Sequence, residues 1–78
     1  MRRPGDGFCT IIADPPEYKN FCVEIYYDEH FFAEITQEGG IENAQITIAP
    51  PPEGADHWKL PYQELLKAIS SAYERLKL

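Results

Sequence analysis

The hydrophobic and polar positions alternate with a period of two in the middle of the chain, which is typical of half-buried β-strands. The clearest such segment is 21–27, where Phe21, Val23, Ile25 and Tyr27 fall on one face and Cys22, Glu24 and Tyr26 on the other. Segment 31–37 alternates in the same way, with Phe31, Ala33 and Ile35 opposing Phe32, Glu34 and Thr36. We therefore predict two neighbouring strands joined by a turn at 28–30.

Two shorter segments extend the predicted sheet. Residues 8–13 form a β-prone run that ends at Asp14-Pro15-Pro16, and residues 45–49 form another, with two isoleucines expected to face inward. Proline lacks the N–H group that a sheet ladder needs, so the prolines at 15–16 and at 50–52 mark strand ends. Gly39-Gly40 separates the third strand from the fourth.

The pattern changes to helical spacing near the C-terminus. Pro61 suits the first turn of a helix, where a missing N–H costs nothing. The apolar residues that follow form one stripe: Tyr62, Leu65, Leu66, Ile69, Ala72, Tyr73 and Leu76. Such a stripe covers one face of a small sheet. We predict an α+β fold: an antiparallel sheet of three to four strands in a β-β-β-β-α order, packed on one C-terminal helix. Residues 1–7 are interpreted as a flexible lead-in and residues 8–78 as one domain.

The strand register decides which side chains share the sheet face turned away from the helix. A three-residue turn at 28–30 keeps the apolar residues of both strands on the helix side. It also sets Glu24 opposite Glu34 and Tyr26 opposite Phe32 on the other side. A shift by two residues would set Tyr26 opposite Glu34 instead. Both registers place two carboxylates among large aromatic side chains.

The net charge of −6 is distributed unevenly. Residues 14–56 contain ten acidic residues opposed only by Lys19, which gives −9, whereas residues 57–78 carry +2 and residues 1–13 carry +1. A negative field of this kind repels nucleic acid and anionic membranes and attracts a basic protein surface. We expect neither direct nucleic-acid binding nor membrane binding.

These patterns predict a partner-binding surface on the sheet and hairpin, formed by Glu24, Tyr26, Asp28, Glu29, Phe32 and Glu34. Tyrosine and phenylalanine are enriched at protein interfaces, and neighbouring carboxylates attract Arg or Lys from a partner. The partner would be a basic protein surface, such as that of a nuclease or another nucleic-acid-processing protein. An ordinary solvated sheet face is an alternative interpretation. A structural or regulatory homodimer, with Tyr26, Phe32 and an unpaired edge strand buried between copies, is another.

Catalytic and metal-binding interpretations find less support in the sequence. The chain has two cysteines and two histidines, the number that a Cys₂His₂ zinc site needs: Cys9, Cys22, His30 and His57. In chain order, however, twelve, seven and twenty-six residues lie between one and the next. Zinc sites usually take closely spaced ligand pairs. Cys22 could act as a nucleophile with His30 as its base, but no third group that would orient the histidine is apparent in the sequence. We therefore predict a protein that is not an enzyme, with no catalytic residue, no metal and no cofactor.

Other features bear on the compartment. No stretch approaches the roughly 18 apolar residues that a membrane-spanning helix needs. The N-terminus has no apolar core of signal-peptide length before Asp14. We therefore predict a cytoplasmic protein in which Cys9 and Cys22 are reduced thiols. A disulfide between them remains open if the first two strands pair.

Trp58 lies just before the predicted helix and has two interpretations. It either covers the open end of the core as a lid or acts as a binding anchor, because tryptophan is enriched among interface hot spots. We favour the lid, with Trp58 lying near Leu65 or Leu66.

The stretch from Phe21 to Leu78 resembles a class of small uncharacterised bacterial proteins. The shared pattern is a Val-Glu-Ile-Tyr-Tyr strand, a Phe-Phe-Ala-Glu-Ile-Thr strand, and a Trp-Lys-Leu-Pro segment before a helix that ends Ala-Tyr-Glu-Arg-Leu. In size and charge the chain is also similar to the acidic immunity proteins that neutralise bacterial nuclease toxins. It is similar in the same way to phage anti-CRISPR proteins, many of which place carboxylates where nucleic-acid phosphates would otherwise bind. This similarity implies an inhibitor and transfers no site residues.

Overall fold

The computed structural model describes residues 7–77 and has a four-stranded antiparallel sheet followed by one helix. The strands are β1 (Phe8–Ala13), β2 (Cys22–Tyr27), β3 (His30–Thr36) and β4 (Gln45–Ile48), and the helix is α1 (Tyr62–Leu76). A short 3₁₀ turn at Ile41–Asn43 precedes β4. The strands lie side by side in chain order. The predicted α+β fold and its element order are confirmed.

The core lies between α1 and the two central strands. The buried strand residues on this side are Val23, Ile25, Phe32, Ala33 and Ile35. Helix α1 contributes Ala68, Ala72 and Leu76, which are four residues apart and therefore share one face of the helix. The two alanines allow the helix backbone to approach the sheet closely. The core is small, which makes each large buried side chain important for stability.

Strand β4 lies beyond the area that the helix covers. Ile46 and Ile48 pair with Ile35 and Ala33, so they lie on the helix side of the sheet, as predicted. They nevertheless remain exposed, because α1 packs over β1 and β2.

The hairpin between β2 and β3 turns more tightly than predicted. Asp28 and Glu29 form a two-residue turn, and both have positive φ angles, 49° and 71°. Positive φ at both positions is what the two-residue type I′ hairpin requires. Tyr27 therefore pairs with His30, and the predicted three-residue turn is wrong. The predicted pairing of Glu24 with Glu34, further from the turn, is confirmed.

A β-bulge in β3 allows both the two-residue turn and the pairing of Glu24 with Glu34 further along the strands. Ile25 pairs with Ala33, whereas Tyr26 pairs with Phe31, so Phe32 is an extra residue in β3. Because of this bulge, Phe32 and Ala33 both face the core, and Phe32 is only 4% exposed. The predicted position of Phe32 beside Tyr26 on the outer face is wrong. Phe31 takes that position and is 39% exposed.

Trp58 packs on the residue that the bulge turns inward. Its ring meets Phe32 edge to face, with the ring centroids 5.1 Å apart. Its Nε1 donates a hydrogen bond of 2.9 Å to the carbonyl oxygen of Ala49. Trp58 is half-buried and contacts the core, which agrees with the lid interpretation.

The pairing of β1 with β2 does not bring the two thiols together. Cys9 pairs with Tyr26, whereas Cys22 pairs with Ala13, and both cysteines are free. The lead-in predicted for residues 1–7 lies outside the described residues except for Gly7. The Gly7 carbonyl oxygen accepts a hydrogen bond of 2.9 Å from the Asp28 N–H. None of the helices within residues 7–77 combines the length and apolar character needed to cross a bilayer.

The connection between β1 and β2 is fastened to the end of β3. The Glu38 carboxylate accepts hydrogen bonds from the backbone N–H groups of Lys19 and Asn20, at 2.7 and 2.8 Å. The Asn20 side chain donates to the carbonyl oxygen of Gln37. The two backbone N–H groups lower the pKa of Glu38 below its ordinary value of 4.5, because they stabilise the charged form.

Replacing Glu38 with glutamine is expected to make stability less dependent on pH in the acid range. A lowered pKa in the fold means that the Glu38 carboxylate stabilises the folded state above pH 4.5 and loses this effect as the pH falls through the lowered value. Glu38→Gln should therefore be less stable than the wild type at about pH 7 and match it at about pH 2. Urea unfolding at both pH values measures the difference. Glu53→Gln removes an exposed charge as the control, and an equal effect there would contradict the assignment.

Candidate functional site

The sheet face turned away from α1 is largely uncovered, and we call it the open face. The strand register assigns its members: Cys9, Ile11, Ala13, Cys22, Glu24, Tyr26, Phe31, Glu34, Thr36, Gln45 and Thr47. It contains two carboxylates and several apolar side chains. It contains no Lys or Arg.

Glu24 and Glu34 lie directly opposite one another at the centre of the open face. A tyrosine hydroxyl holds each carboxylate: Tyr26 donates to Glu24 at 3.1 Å, and Tyr18 donates to Glu34 at 2.9 Å. These hydrogen bonds raise the pKa of both hydroxyls, because the carboxylates hold the phenol protons in place. The two carboxylates are therefore oriented by the protein.

Among the described residues, no cationic side chain compensates this carboxylate pair. Like charges directly opposite in a sheet are destabilising. Within residues 7–77, no Lys or Arg forms an ion pair with Glu24 or Glu34, and the ion pairs found are both on the helix. These helix pairs join Lys67 to Glu64 and Lys77 to Glu74. The open face consequently keeps two neighbouring negative charges that a partner can neutralise.

The part of the open face near β1 is apolar and concave. The rings of Tyr26 and Phe31 pack edge to face, with centroids 5.5 Å apart. Ile11 is 45% exposed beside them. An open concavity of about 560 Å³ lies here, lined by Gly7, Cys9, Ile11, Tyr26 and Glu29. Its apolar walls and single carboxylate suit a side chain with an apolar stem and a positive end.

The end of the open face around Cys22 is covered, and its thiol is unreactive. Cys22 is fully buried there, with its Sγ 3.7 Å from Oε2 of Glu34. Burial, assisted by the Glu34 carboxylate, raises the pKa of the Cys22 thiol to about 11. The thiol is therefore protonated near neutral pH and is a poor nucleophile. His30 begins β3 and pairs with Tyr27, whereas Cys22 lies at the opposite end of β2, so His30 is not placed to act as a base for Cys22.

Most of the predicted partner-binding residues lie together. Glu24, Tyr26 and Glu34 share the open face, and Asp28 and Glu29 form the exposed turn at its end. The sixth predicted residue, Phe32, lies in the core.

Three residues of the surface are absent from the sequence-based prediction: Phe31, Cys9 and Ile11. Strict alternation places Phe31 on the wrong face, because the bulge beside it has no glycine or other marker in the sequence. Alternation along β1 does place Cys9 and Ile11 on a common face, but the partner strand and register are needed to identify that face. A tertiary pairing is therefore needed to find this part of the surface.

The described residues hold no set of three or more His, Cys, Asp or Glu side chains arranged to hold a metal ion. No family model, no curated protein and no solved structure matches the chain. The resemblance to small bacterial proteins and to acidic inhibitors therefore stays a prediction.

Proposed function

We propose that this chain is a non-enzymatic binding protein whose open face docks on a basic surface of another protein. The observation that carries the proposal is the directly opposed pair of Glu24 and Glu34, which no cation of residues 7–77 neutralises. In the free protein this pair costs stability. A partner that supplies Arg or Lys converts the repulsion into charge-assisted hydrogen bonds.

The tyrosine hydroxyls support this proposal because they orient the carboxylates before binding. Tyr26 donates to one oxygen of Glu24, and Tyr18 and the Cys22 thiol donate to the two oxygens of Glu34. Each carboxylate oxygen has two lone pairs, so the remaining lone pairs stay available to an incoming guanidinium or ammonium group. Groups that are already ordered lose less conformational entropy when a complex forms.

The apolar side chains of the open face supply affinity that charge alone does not. Tyr26, Phe31 and Ile11 present contiguous apolar area next to the carboxylates. Aromatic side chains dominate the energetics of many interfaces, whereas complementary charges mainly increase the association rate and fix orientation.

The charge distribution favours a partner that itself handles nucleic acid. Residues 14–56 carry −9, and proteins that bind nucleic acid present basic surfaces to phosphates. Carboxylates on the open face would occupy the positions of those phosphates. This is how an inhibitor of the immunity or anti-CRISPR type would act on a nuclease or a CRISPR-effector subunit.

Reversing the charge of the open face is expected to weaken binding more than tenfold, because each lost charge pair costs on the order of 1 kcal/mol or more. The variant is the double substitution Glu24→Lys and Glu34→Lys. The partner is identified by affinity purification from the host cell and mass spectrometry. Its dissociation constant is then measured with purified proteins at about 50 and about 300 mM salt, where wild-type affinity should fall steeply.

The control for this experiment changes net charge by the same amount elsewhere. Glu53→Lys with Glu74→Lys alters two exposed residues, one before the helix and one within it. This variant should bind nearly as well as the wild type. Equal weakening by both double variants, or an affinity that does not respond to salt, would rule out docking through the open face.

A further inference from the structure

Strand β1 forms one edge of the sheet, and its residues alternate between pointing their backbone N–H and C=O groups toward β2 and pointing them outward. The Asp28 N–H donates to the Gly7 carbonyl, so Gly7 and Asp28 form a hydrogen-bonded pair. Such pairs alternate along an antiparallel ladder, so every second residue from Gly7 onward points its backbone groups toward β2. The residues between them, Phe8, Thr10 and Ile12, point their N–H and C=O groups away from the sheet.

One side chain of the described protein reaches this outer edge. Arg75 of α1 donates from Nη1 to the carbonyl oxygen of Thr10 at 3.0 Å and to Oγ1 of Thr10 at 2.7 Å. This contact confirms that the Thr10 carbonyl points outward. The carbonyl oxygen keeps a second lone pair. Within residues 7–77, the outward N–H groups of Phe8, Thr10 and Ile12 have no hydrogen-bond partner.

Apart from the Arg75 contact at Thr10, the described part of the β1 edge lacks the features that usually prevent strand pairing. Exposed edges are commonly protected by charged side chains, prolines, bulges or short length. The six residues of β1, Phe-Cys-Thr-Ile-Ile-Ala, contain no charge and no proline, and their pairing with β2 has no bulge. The opposite edge strand, β4, has four residues and is closely followed by three prolines. Of the two sheet edges, β1 is the better template for another strand.

We propose that the partner binds by adding an extended basic segment to the β1 edge, with alternate Arg or Lys side chains lying over the open face. An added strand would run about 4.8 Å outside β1. Its side chains on the open face would lie beside Cys9 and Ile11, at the concavity. A basic side chain there packs its stem on Ile11 and directs its charge toward Glu29 at the concavity or Glu24 opposite Ile11.

Charge favours a basic segment over a second copy of the chain as the strand that pairs with β1. Pairing of two β1 edges would continue the sheet and place two open faces side by side. Each copy carries a net charge of −6 and two central carboxylates that form no ion pair with a cation of the described residues, so this arrangement adds repulsion. A basic segment uses the same backbone groups and removes the repulsion. The inference rests on the proposed function and specifies how the basic partner engages the face.

The test uses a capped decapeptide of alternating arginine and valine as the probe. Thr10→Pro removes the central outward N–H, and proline is tolerated on an edge strand where that N–H faces solvent. Thr10→Ala is the matched control, because both variants lose the Oγ1 contact with Arg75. We expect the peptide to bind wild type and Thr10→Ala with affinities within about threefold, and Thr10→Pro at least about tenfold more weakly. Thermal unfolding verifies that both variants fold.

Amide hydrogen exchange on the wild type tests strand addition without any substitution. The peptide should slow exchange at the outward amides of Phe8, Thr10 and Ile12, because an added strand hydrogen-bonds these groups. Peptide binding that is equal in Thr10→Pro and Thr10→Ala, without such protection, would overturn strand addition. The open-face proposal would survive that result if Glu24→Lys with Glu34→Lys still abolished binding.

Two further outcomes also overturn strand addition by a basic segment. One is absence of peptide binding to the wild type. The other is a wild-type dimer in light scattering that Thr10→Pro converts to a monomer, which would identify a second copy as the occupant of the edge.

Discussion

Phe32→Ala is expected to lower the free energy of unfolding by about 3–5 kcal/mol, whereas Phe31→Ala lowers it by about 1 kcal/mol. The two residues are neighbours of identical type, but the bulge in β3 sends Phe32 into the core and Phe31 to the open face. Truncating Phe32 leaves a cavity between β3 and Trp58 that the rigid sheet cannot close. Truncating Phe31 removes an edge-to-face contact with Tyr26 that is partly exposed already.

Urea unfolding of the two variants, followed by circular dichroism, measures this difference. The pair is internally matched, because both substitutions remove the same atoms from the same strand. An equal loss would contradict the burial of Phe32 by the bulge. A larger loss for Phe31→Ala would mean that the strand alternates regularly and that the bulge is absent. The open face would then contain Phe32, as simple alternation predicts.

Trp58→Ala is expected to lower the free energy of unfolding by about 2–3 kcal/mol, below the range for a fully buried tryptophan because the ring is half-buried. The loss combines the contact with Phe32 and the hydrogen bond from Nε1 to Ala49. Trp58→Phe keeps an aromatic ring and loses the hydrogen bond, so it should cost about 1 kcal/mol.

A double-mutant cycle with Phe32→Ala isolates the contact between the two rings. Because Trp58 and Phe32 pack on each other, their combined loss should be smaller than the sum of the single losses by about 1 kcal/mol. If Trp58→Ala left stability unchanged but abolished partner binding, Trp58 would be a binding anchor and not a lid. Circular dichroism is the appropriate signal, since the substitution removes the only tryptophan.

The pairing of the two carboxylates could be predicted from the sequence, but their hydrogen-bond partners could not. Glu24 and Glu34 were predictable as neighbours, because the hydrophobic residues around them allow few registers between two amphipathic strands. The tyrosine hydroxyls that hold them were not predictable. Tyr18 lies in a connection between strands, and its position depends on the hydrogen bonds of Glu38 with that connection.

The hairpin turn explains why the sequence alone could not predict which phenylalanine lies beside Tyr26 on the open face. A two-residue turn usually carries glycine or asparagine, because its residues need positive φ. Asp28 fits the first position of such a turn, but Glu29 stands where glycine is usual and still adopts positive φ, so the sequence does not reveal the turn length. Turn length and bulge together determine which of two adjacent phenylalanines faces outward.

The sequence by itself determined the order of the elements, with three to four strands before one helix, the side of the sheet that the helix covers, and the concentration of negative charge in residues 14–56. Those properties depend on hydrophobic periodicity and composition, which are local in the chain. The tertiary structure decided which face carries Phe31 and which buries Phe32. It also placed Cys9 and Ile11 beside the carboxylates and directed the free backbone groups of β1 outward. These properties depend on strand pairing between distant residues, where a single inserted residue reverses the face of a side chain.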